Sequence, residues 1–210
     1  MIRLVIAEDH AIVRSGLKQI FATTTDLRVV GEAIDGGAVL ACFRQIEFDL
    51  LLLDLNMPGL SGAELIARLK SQYPGKPILV LSMHNTVQVA ARALKAGANG
   101  YCTKDSEPEV LLDAIRKVAK GGKYLTPELA EQMIFSPVEH GDALPHTKLS
   151  DRELQVFNLL VKGVSVNDIA DQLHISNKTV STHKVRLMEK LDTATNADLI
   201  LYAVHHQLMD

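Results

Sequence analysis

Residues 50–54 read Leu50-Leu51-Leu52-Leu53-Asp54, four consecutive apolar side chains ending on a carboxylate. A run this short and continuously apolar suits a strand covered on both faces, because a strand with one wet face would alternate. Strands of that kind belong to parallel sheets flanked by helices, and ligands gather at the carboxyl ends of such strands. Outward from this run, further β-rich stretches lie at Ile2–Ala7, at 27–31, at 78–81 and around Tyr101. Helical spacing separates them. It is marked by Ile12, Leu17, Ile20 and Phe21, then by Leu65, Ile66 and Leu69. Val89, Ala93 and Leu94 mark a third helix, and Val110, Leu111, Ala114, Ile115 and Val118 a fourth. The alternation predicts an α/β fold, a doubly wound five-stranded parallel sheet over residues 1–122.

The strand ends carry a specific set of residues. The first strand runs into Glu8-Asp9, the third into Asp54, the fourth ends at Ser82 and the fifth reaches Lys104. Polar residues also mark where any strand leaves a core, but all five at the correct ends point to one chemical rim. Oxygen ligands suit a hard divalent cation such as Mg²⁺. An ionised Asp is a competent nucleophile toward a phosphoryl group, whose oxygens a metal, a hydroxyl and a lysine would stabilise. His84 reads as a loop histidine and Cys102 as core.

On these residues, 1–122 resembles a response-regulator receiver domain, a flavodoxin-like fold. Glu8-Asp9, the stretch Asp54-Leu55-Asn56-Met57-Pro58-Gly59, Ser82 and Lys104-Asp105 match its motif in order and spacing. The resemblance implies that Asp54 is the phosphoacceptor and that Glu8 and Asp9 form the acidic pair, Asp9 ligating Mg²⁺ directly. It implies that Asp54 and the Asn56 backbone carbonyl join the metal site. Lys104 would pair with the phosphoryl group, Ser82 would move to hydrogen-bond it, and Tyr101 would swing inward in response. Asp105 stands where many receivers have proline. A cis Lys104–Asp105 bond, as in the wider family, would cost about 3–4 kcal/mol without proline.

Beyond Gly121-Gly122 the pattern changes. Thr126-Pro127-Glu128 has the form of a cap followed by proline at the first helical position, opening a short helix through Ile134. Pro137, Gly141 and Pro145 then break periodicity, so 123–148 reads as a linker. From Leu149 to the end at 210 the pattern is all helical. Ser150-Asp151-Arg152-Glu153 is a capping-box sequence, Gly163 closes the first helix, and Ser165 and Ser176 cap the next two. A tight turn at 174–175 joins those two, the helix-turn-helix layout whose later helix reads the major groove. That helix holds Lys178, Lys184, Arg186 and Lys190 against Glu189, although the segment as a whole is slightly acidic. Short polar and basic side chains near a helix N-terminus suit phosphate and base-edge contacts.

Residues 149–206 resemble the LuxR-type helix-turn-helix, and the whole chain is similar to the NarL/FixJ class of response regulators. The matching residues are 149–153, Asp168-Ile169-Ala170, Leu173 and Ser176-Asn177-Lys178-Thr179-Val180 through Leu191. The resemblance places Ser181, Thr182 and Val185 at base-reading positions. It places Lys178, Thr179, Lys184 and His183 at positions that contact the DNA backbone, with Arg186 also against the DNA. Glu153, Ile169, Ala170 and Val180 would be structural. Leu199, Ile200, Ala203 and Val204 on the last helix are either a dimer seam or core.

The implied function is a DNA-binding transcription regulator of a two-component phosphorelay, switched when a sensor histidine kinase phosphorylates Asp54 with Mg²⁺. Its partners would be that kinase, double-stranded promoter DNA and a second copy of the chain. It would be no enzyme beyond its own phosphorylation and dephosphorylation. Magnesium-dependent phosphatases also use a strand-end Asp, usually with another Asp two residues on, and here that position is Asn56. A ligand-sensing regulator would need a small-molecule pocket, and a receiver used only for protein contacts would have a degenerate reader.

Composition agrees. A chain 47% hydrophobic and 22% charged is an ordinary globular mix. Net charge is −3, so nucleic-acid binding must come from a local cluster. Two cysteines, Cys42 and Cys102, exclude a disulfide framework and fit a reducing cytoplasm. Arg3, Glu8 and Asp9 interrupt the start, so no secretory leader is expected, and the apolar runs are too short to span a membrane.

Overall fold

The computed structural model describes residues 1–83, 85–135, 144–173, 175–206 and 208. His84, His174 and the middle of the expected linker, 136–143, lie outside the described residues. The chain divides into two compact units, Met1–Pro137 and Val138–Asp210.

In the first unit strands and helices alternate: β1 (Ile2–Ala7), α1 (Ala11–Ala22), β2 (Leu27–Ala33), α2 (Gly36–Gln45), β3 (Leu50–Leu53), α3 (Gly62–Gln72), β4 (Ile78–Ser82), α4 (Val87–Lys95), β5 (Gly100–Thr103), α5 (Pro108–Ala119), β6 (Tyr124–Leu125) and α6 (Pro127–Phe135). The strands form one parallel sheet in the order β2-β1-β3-β4-β5-β6. The doubly wound parallel sheet is as expected, but it has six strands where five were expected. The sixth is a two-residue edge strand that pairs Tyr124 with Gly100 and Leu125 with Tyr101. Two half-buried residues between Gly121-Gly122 and Thr126-Pro127 offer no alternation to read.

Burial explains the continuous apolar runs. Every residue of β3 and β4 is buried. Leu4, Ile6, Leu50, Leu52, Leu79 and Leu81 pack with Leu17 and Phe21 of α1 and with Leu111, Ala114, Ile115 and Val118 of α5. Each fully buried leucine contributes about 1.5–3 kcal/mol relative to exposure. Ile12, counted with the apolar spacing of α1, is instead 89% exposed. The start of α2 is held close to the loop after Asp54: a Cβ on Gly36 would lie 1.9 Å from the Leu60 carbonyl oxygen. Asp35 caps that helix by accepting from the Ala38 N–H at 2.7 Å.

The second unit is helical: α7 (Asp151–Val161), α8 (Val166–Gln172), α9 (Asn177–Leu191) and α10 (Asn196–His205), preceded by a 3-10 turn at Pro145–Lys148. Each start is capped by side chains. Ser150 and Glu153 form the capping box of α7, and Thr195 and Asp198 form one on α10. Ser165 and Ser176 accept from the Asp168 and Thr179 N–H groups. Gly163, at φ 80°, ends α7 in the left-handed region that favours glycine. Val156, Phe157, Ile169, Val180, Leu187 and Leu199 form the shared core. The 3-10 turn is tied to α10, because the Tyr202 hydroxyl lies 3.2 Å from the His146 N–H and 3.0 Å from its Nδ1.

Candidate functional site

The strand ends of the first unit converge as the topology requires. Past β1 the Glu8 N–H donates to the Ala33 carbonyl at 2.9 Å, past β3 the Asp54 N–H donates to Ala7 at 2.9 Å, and past β5 the Lys104 N–H donates to Ser82 at 2.8 Å. These bonds continue the sheet beyond its strands and bring the three polar side chains to one rim. Glu8 is 1% and Asp54 2% exposed. The Lys104 ammonium lies between them, 2.6 Å from Glu8 Oε2 and 2.9 Å from Asp54 Oδ2. The other Asp54 oxygen, Oδ1, accepts from the Asn56 N–H at 3.1 Å.

Burial pushes the Asp54 carboxyl above the usual aspartate range and Glu8 adds to the rise, with Lys104 opposing both. Burial alone would pull the Lys104 ammonium down, yet Asp54 and Glu8 together hold it above the usual lysine range. Two buried carboxylates thus share one cation, and Asp9 stands beside them. Asp9 Oδ1 is buried without a hydrogen bond, its near neighbour being His10 Nδ1 at 2.9 Å. Glu8, Asp9, His10 and Asp54 each offer a ligand atom within 4.8 Å of the others. Such an oxygen-rich, undercompensated set fits a divalent cation.

Ser82, the last residue of β4, and Tyr101, the second residue of β5, are both fully buried; Val80 pairs with Tyr101 and Ser82 with Thr103. Cys102, also buried, has its thiol pushed up to about 12 by desolvation, which makes it an inert core residue. No peptide bond among the described residues is cis, so the Lys104–Asp105 bond is trans. His10 is the rim residue that sequence reasoning missed. Its available signal was adjacency to the Glu8-Asp9 pair.

In the second unit, α9 turns Val180, Leu187 and Leu191 into the core. Lys178, Ser181, Thr182 and Val185 lie one turn apart along one face and are exposed, as is Arg186. Thr179, His183 and Lys184 are half-buried. The Thr182 hydroxyl donates to the Lys178 carbonyl at 2.9 Å. His183 Nδ1 is buried without a hydrogen bond, and burial lowers the pKa of the ring, favouring its neutral form. Lys190, counted in the basic cluster, is engaged within the unit: its Nζ lies 2.6 Å from Glu153 Oε2 and 3.3 Å from the Lys148 carbonyl. Glu153, Ile169, Ala170 and Val180 are buried. On α10 the four seam residues divide, Leu199 and Ala203 being core while Ile200 and Val204 are exposed beside Leu201.

Comparison with known proteins adds independent findings. Residues 4–116 match the family model for the response regulator receiver domain, and residues 147–203 match that for bacterial regulatory proteins of the luxR family. The chain is 34% identical to the response regulator UvrY of Escherichia coli K12 over 209 residues, covering 99% of this chain and 96% of UvrY. It is similar to the structure of RcsB from Salmonella enterica serovar Typhimurium bound to promoter rprA with the phosphomimetic BeF3⁻, at 29% identity and a TM-score of 0.58 over 96% of this chain and 98% of that one. A structure of two RcsB dimers bound to two parallel DNAs is similar at 28% identity and a TM-score of 0.61, covering 97% of this chain and 98% of that one.

Proposed function

We propose a mechanism from one premise: the chain belongs to the response regulators, with a receiver domain and a LuxR-type DNA-binding domain, and is a transcription regulator of a two-component system. In our reading Asp54 is the phosphoacceptor. The observation that carries it is the Lys104 ammonium bridging Glu8 and Asp54 at the carboxyl edge of the sheet. A carboxylate oxygen of Asp54 attacks phosphorus, and an O–P bond forms as the bond to the donor breaks. Lys104, already within 2.9 Å of Asp54, then neutralises a phosphoryl oxygen.

Glu8, Asp9, Asp54 and the Asn56 backbone carbonyl would hold Mg²⁺. When bound, the ion supplies charge neutralisation for the phosphoryl oxygens. The Ser82 hydroxyl donates to the phosphorylated group, and Tyr101 repacks with it, biasing a two-state surface. The chain's own phosphorylation and dephosphorylation are its whole chemistry, and a sensor histidine kinase is the donor.

In this reading the receiver's phosphoacceptor motifs lie within 1–122, the connecting segment 123–148 starts with β6 on the edge of the receiver sheet, and the reader occupies 149–210. The exposed face of α9 enters the major groove, with Ser181, Thr182 and Val185 at base edges, Lys178, Thr179, His183 and Lys184 against the backbone, and Arg186 also facing the DNA. RcsB structures with promoter DNA and as DNA-bound dimers support that docking and a homodimer here. Exposed Ile200, Leu201 and Val204 suit the dimer seam. No helix among the described residues is long and apolar enough to cross a membrane. A kinase-fed DNA reader belongs in the cytoplasm.

Intact mass after incubation with Mg²⁺ and a small phosphodonor tests the receiver chemistry. One phosphoryl group on the wild type and none on Asp54→Asn is the expected result. Equal addition to both would place the acceptor elsewhere.

A further inference from the structure

His10 belongs to the rim yet has no part in the chemistry above. Its Nδ1 lies 3.0 Å from Glu8 Oε1 and 2.9 Å from Asp9 Oδ1. Neighbouring ligands on an octahedral cation with bonds of about 2.1 Å stand about 3.0 Å apart. The imidazole nitrogen already has that spacing from each of the two carboxylate oxygens. The remaining Glu8 oxygen, Oε2, is taken by Lys104, so Oε1 is the one left to face a cation beside His10.

The ring's place is set by the backbone. The His10 N–H donates to Glu8 Oε1 at 3.0 Å, its carbonyl accepts from the Arg14 N–H at 3.0 Å, and Arg14 Nη1 donates to the Glu8 carbonyl at 2.7 Å. These bonds hold the residue between the two carboxylates before any ion arrives. The side chain is half exposed, while those of Glu8 and Asp9 are 2% and 15% exposed. It therefore stands on the solvent side of the rim.

We propose that His10 is a nitrogen ligand of the rim's cation, and that the site therefore favours a first-row transition ion such as Mn²⁺ over Mg²⁺. Carboxylates serve both ions, whereas imidazole suits transition metals, and Mg²⁺ keeps waters in preference to other ligands. The proposal rests on the rim being a cation site.

The experiment uses the full chain, with Mn²⁺ as the probe because it binds stray surface histidines weakly compared with later transition ions. Free Mn²⁺ is counted by electron paramagnetic resonance, Mg²⁺ is measured by competition, and nitrogen coordination is read from ¹⁴N modulation of the electron spin echo. The wild type shows ¹⁴N coupling. His10→Ala loses it, with Mn²⁺ affinity falling about tenfold and Mg²⁺ affinity falling about twofold or less. The His10 side chain makes no capping bond to α1, so the substitution leaves the helix start intact. Absent ¹⁴N coupling in the wild type, or coupling that persists in His10→Ala, overturns the proposal. Asp9→Asn separates the two readings. If Asp9→Asn weakens both ions while His10→Ala weakens neither, the cation site stands and the His10 ligand falls. If the wild type binds neither ion, both fall.

Discussion

Replacing Lys104 with methionine keeps the length of the side chain and its packed stem while removing the charge between Glu8 and Asp54. Both carboxylates are 2% exposed and the lysine side chain 9%. Breaking a buried ion pair by removing one partner costs about 3–5 kcal/mol, because the remaining charge has no counter-ion. For a unit of this size that corresponds to a fall in Tm of about 10–15 °C. The loss should depend on pH. Asp54 already sits above its ordinary value, and losing Lys104 raises it further. The folded variant then binds more protons than the unfolded chain, so its stability rises as pH falls through the raised folded value. Low pH and Asp54→Asn should therefore rescue it alike. In the Asp54→Asn background the same substitution should cost about 1–2 kcal/mol less, a coupling expected of groups in direct contact. Scanning calorimetry of the full chain is the assay, and the transition of larger enthalpy is assigned to the longer unit. A destabilisation that is identical at pH 5 and pH 8, and identical with Asp54 or Asn, would refute the electrostatic account of this rim.

Gly36→Ala should destabilise the receiver by about 2 kcal/mol or more, because its Cβ would meet the Leu60 carbonyl at 1.9 Å and push the loop after Asp54 outward. Urea unfolding followed by circular dichroism checks it, and an unchanged midpoint would show that the loop yields freely. Glu153 is buried, but the Lys190 ammonium and the Ser150 N–H hold its carboxyl below the ordinary 4.5. Its stabilisation is therefore present above about pH 4.5 and lost as pH falls through the lower folded value. Glu153→Gln should flatten the acid side of the reader's pH–stability curve, whereas an unaltered acid limb would assign that dependence to other groups. Lys184→Ala should weaken promoter binding and reduce the slope of log affinity against log salt by about one unit. An unchanged slope would remove Lys184 from the phosphate contacts.

Legibility followed the length of the physical signal. The Leu50–Leu53 run showed a doubly covered strand because every one of its residues is buried. Strand-end chemistry was legible for a related reason: a parallel sheet puts the residues after β1, β3 and β5 on one edge whatever the loops do. β6 was not legible, because two residues cannot display a period. α2 carried no mark in the apolar spacing, since it opens on Gly36-Gly37 and depends on Asp35 capping and close approach to Leu60. Ile12 was misleading in the opposite sense, an apolar residue on helical spacing that faces solvent. On α10, spacing alone left Leu199, Ile200, Ala203 and Val204 equivalent, and tertiary packing separates two core residues from two exposed ones. Lys190 shows the same limit for charge, because its partner Glu153 lies 37 residues away. His10 needed coordinates, since adjacency to an acidic pair does not say where an imidazole turns.

In the proposed switch, phosphorylation of Asp54 controls DNA binding by α9. The direct measurement is promoter affinity at fixed salt for phosphorylated wild type, unphosphorylated wild type and phosphodonor-treated Asp54→Asn. Phosphorylated protein should bind at least about tenfold more tightly, a difference of about 1.4 kcal/mol. Phosphodonor-treated Asp54→Asn should stay with the unphosphorylated form. Equal affinity in all three would contradict the switch, even if the receiver accepts phosphate and the reader binds DNA.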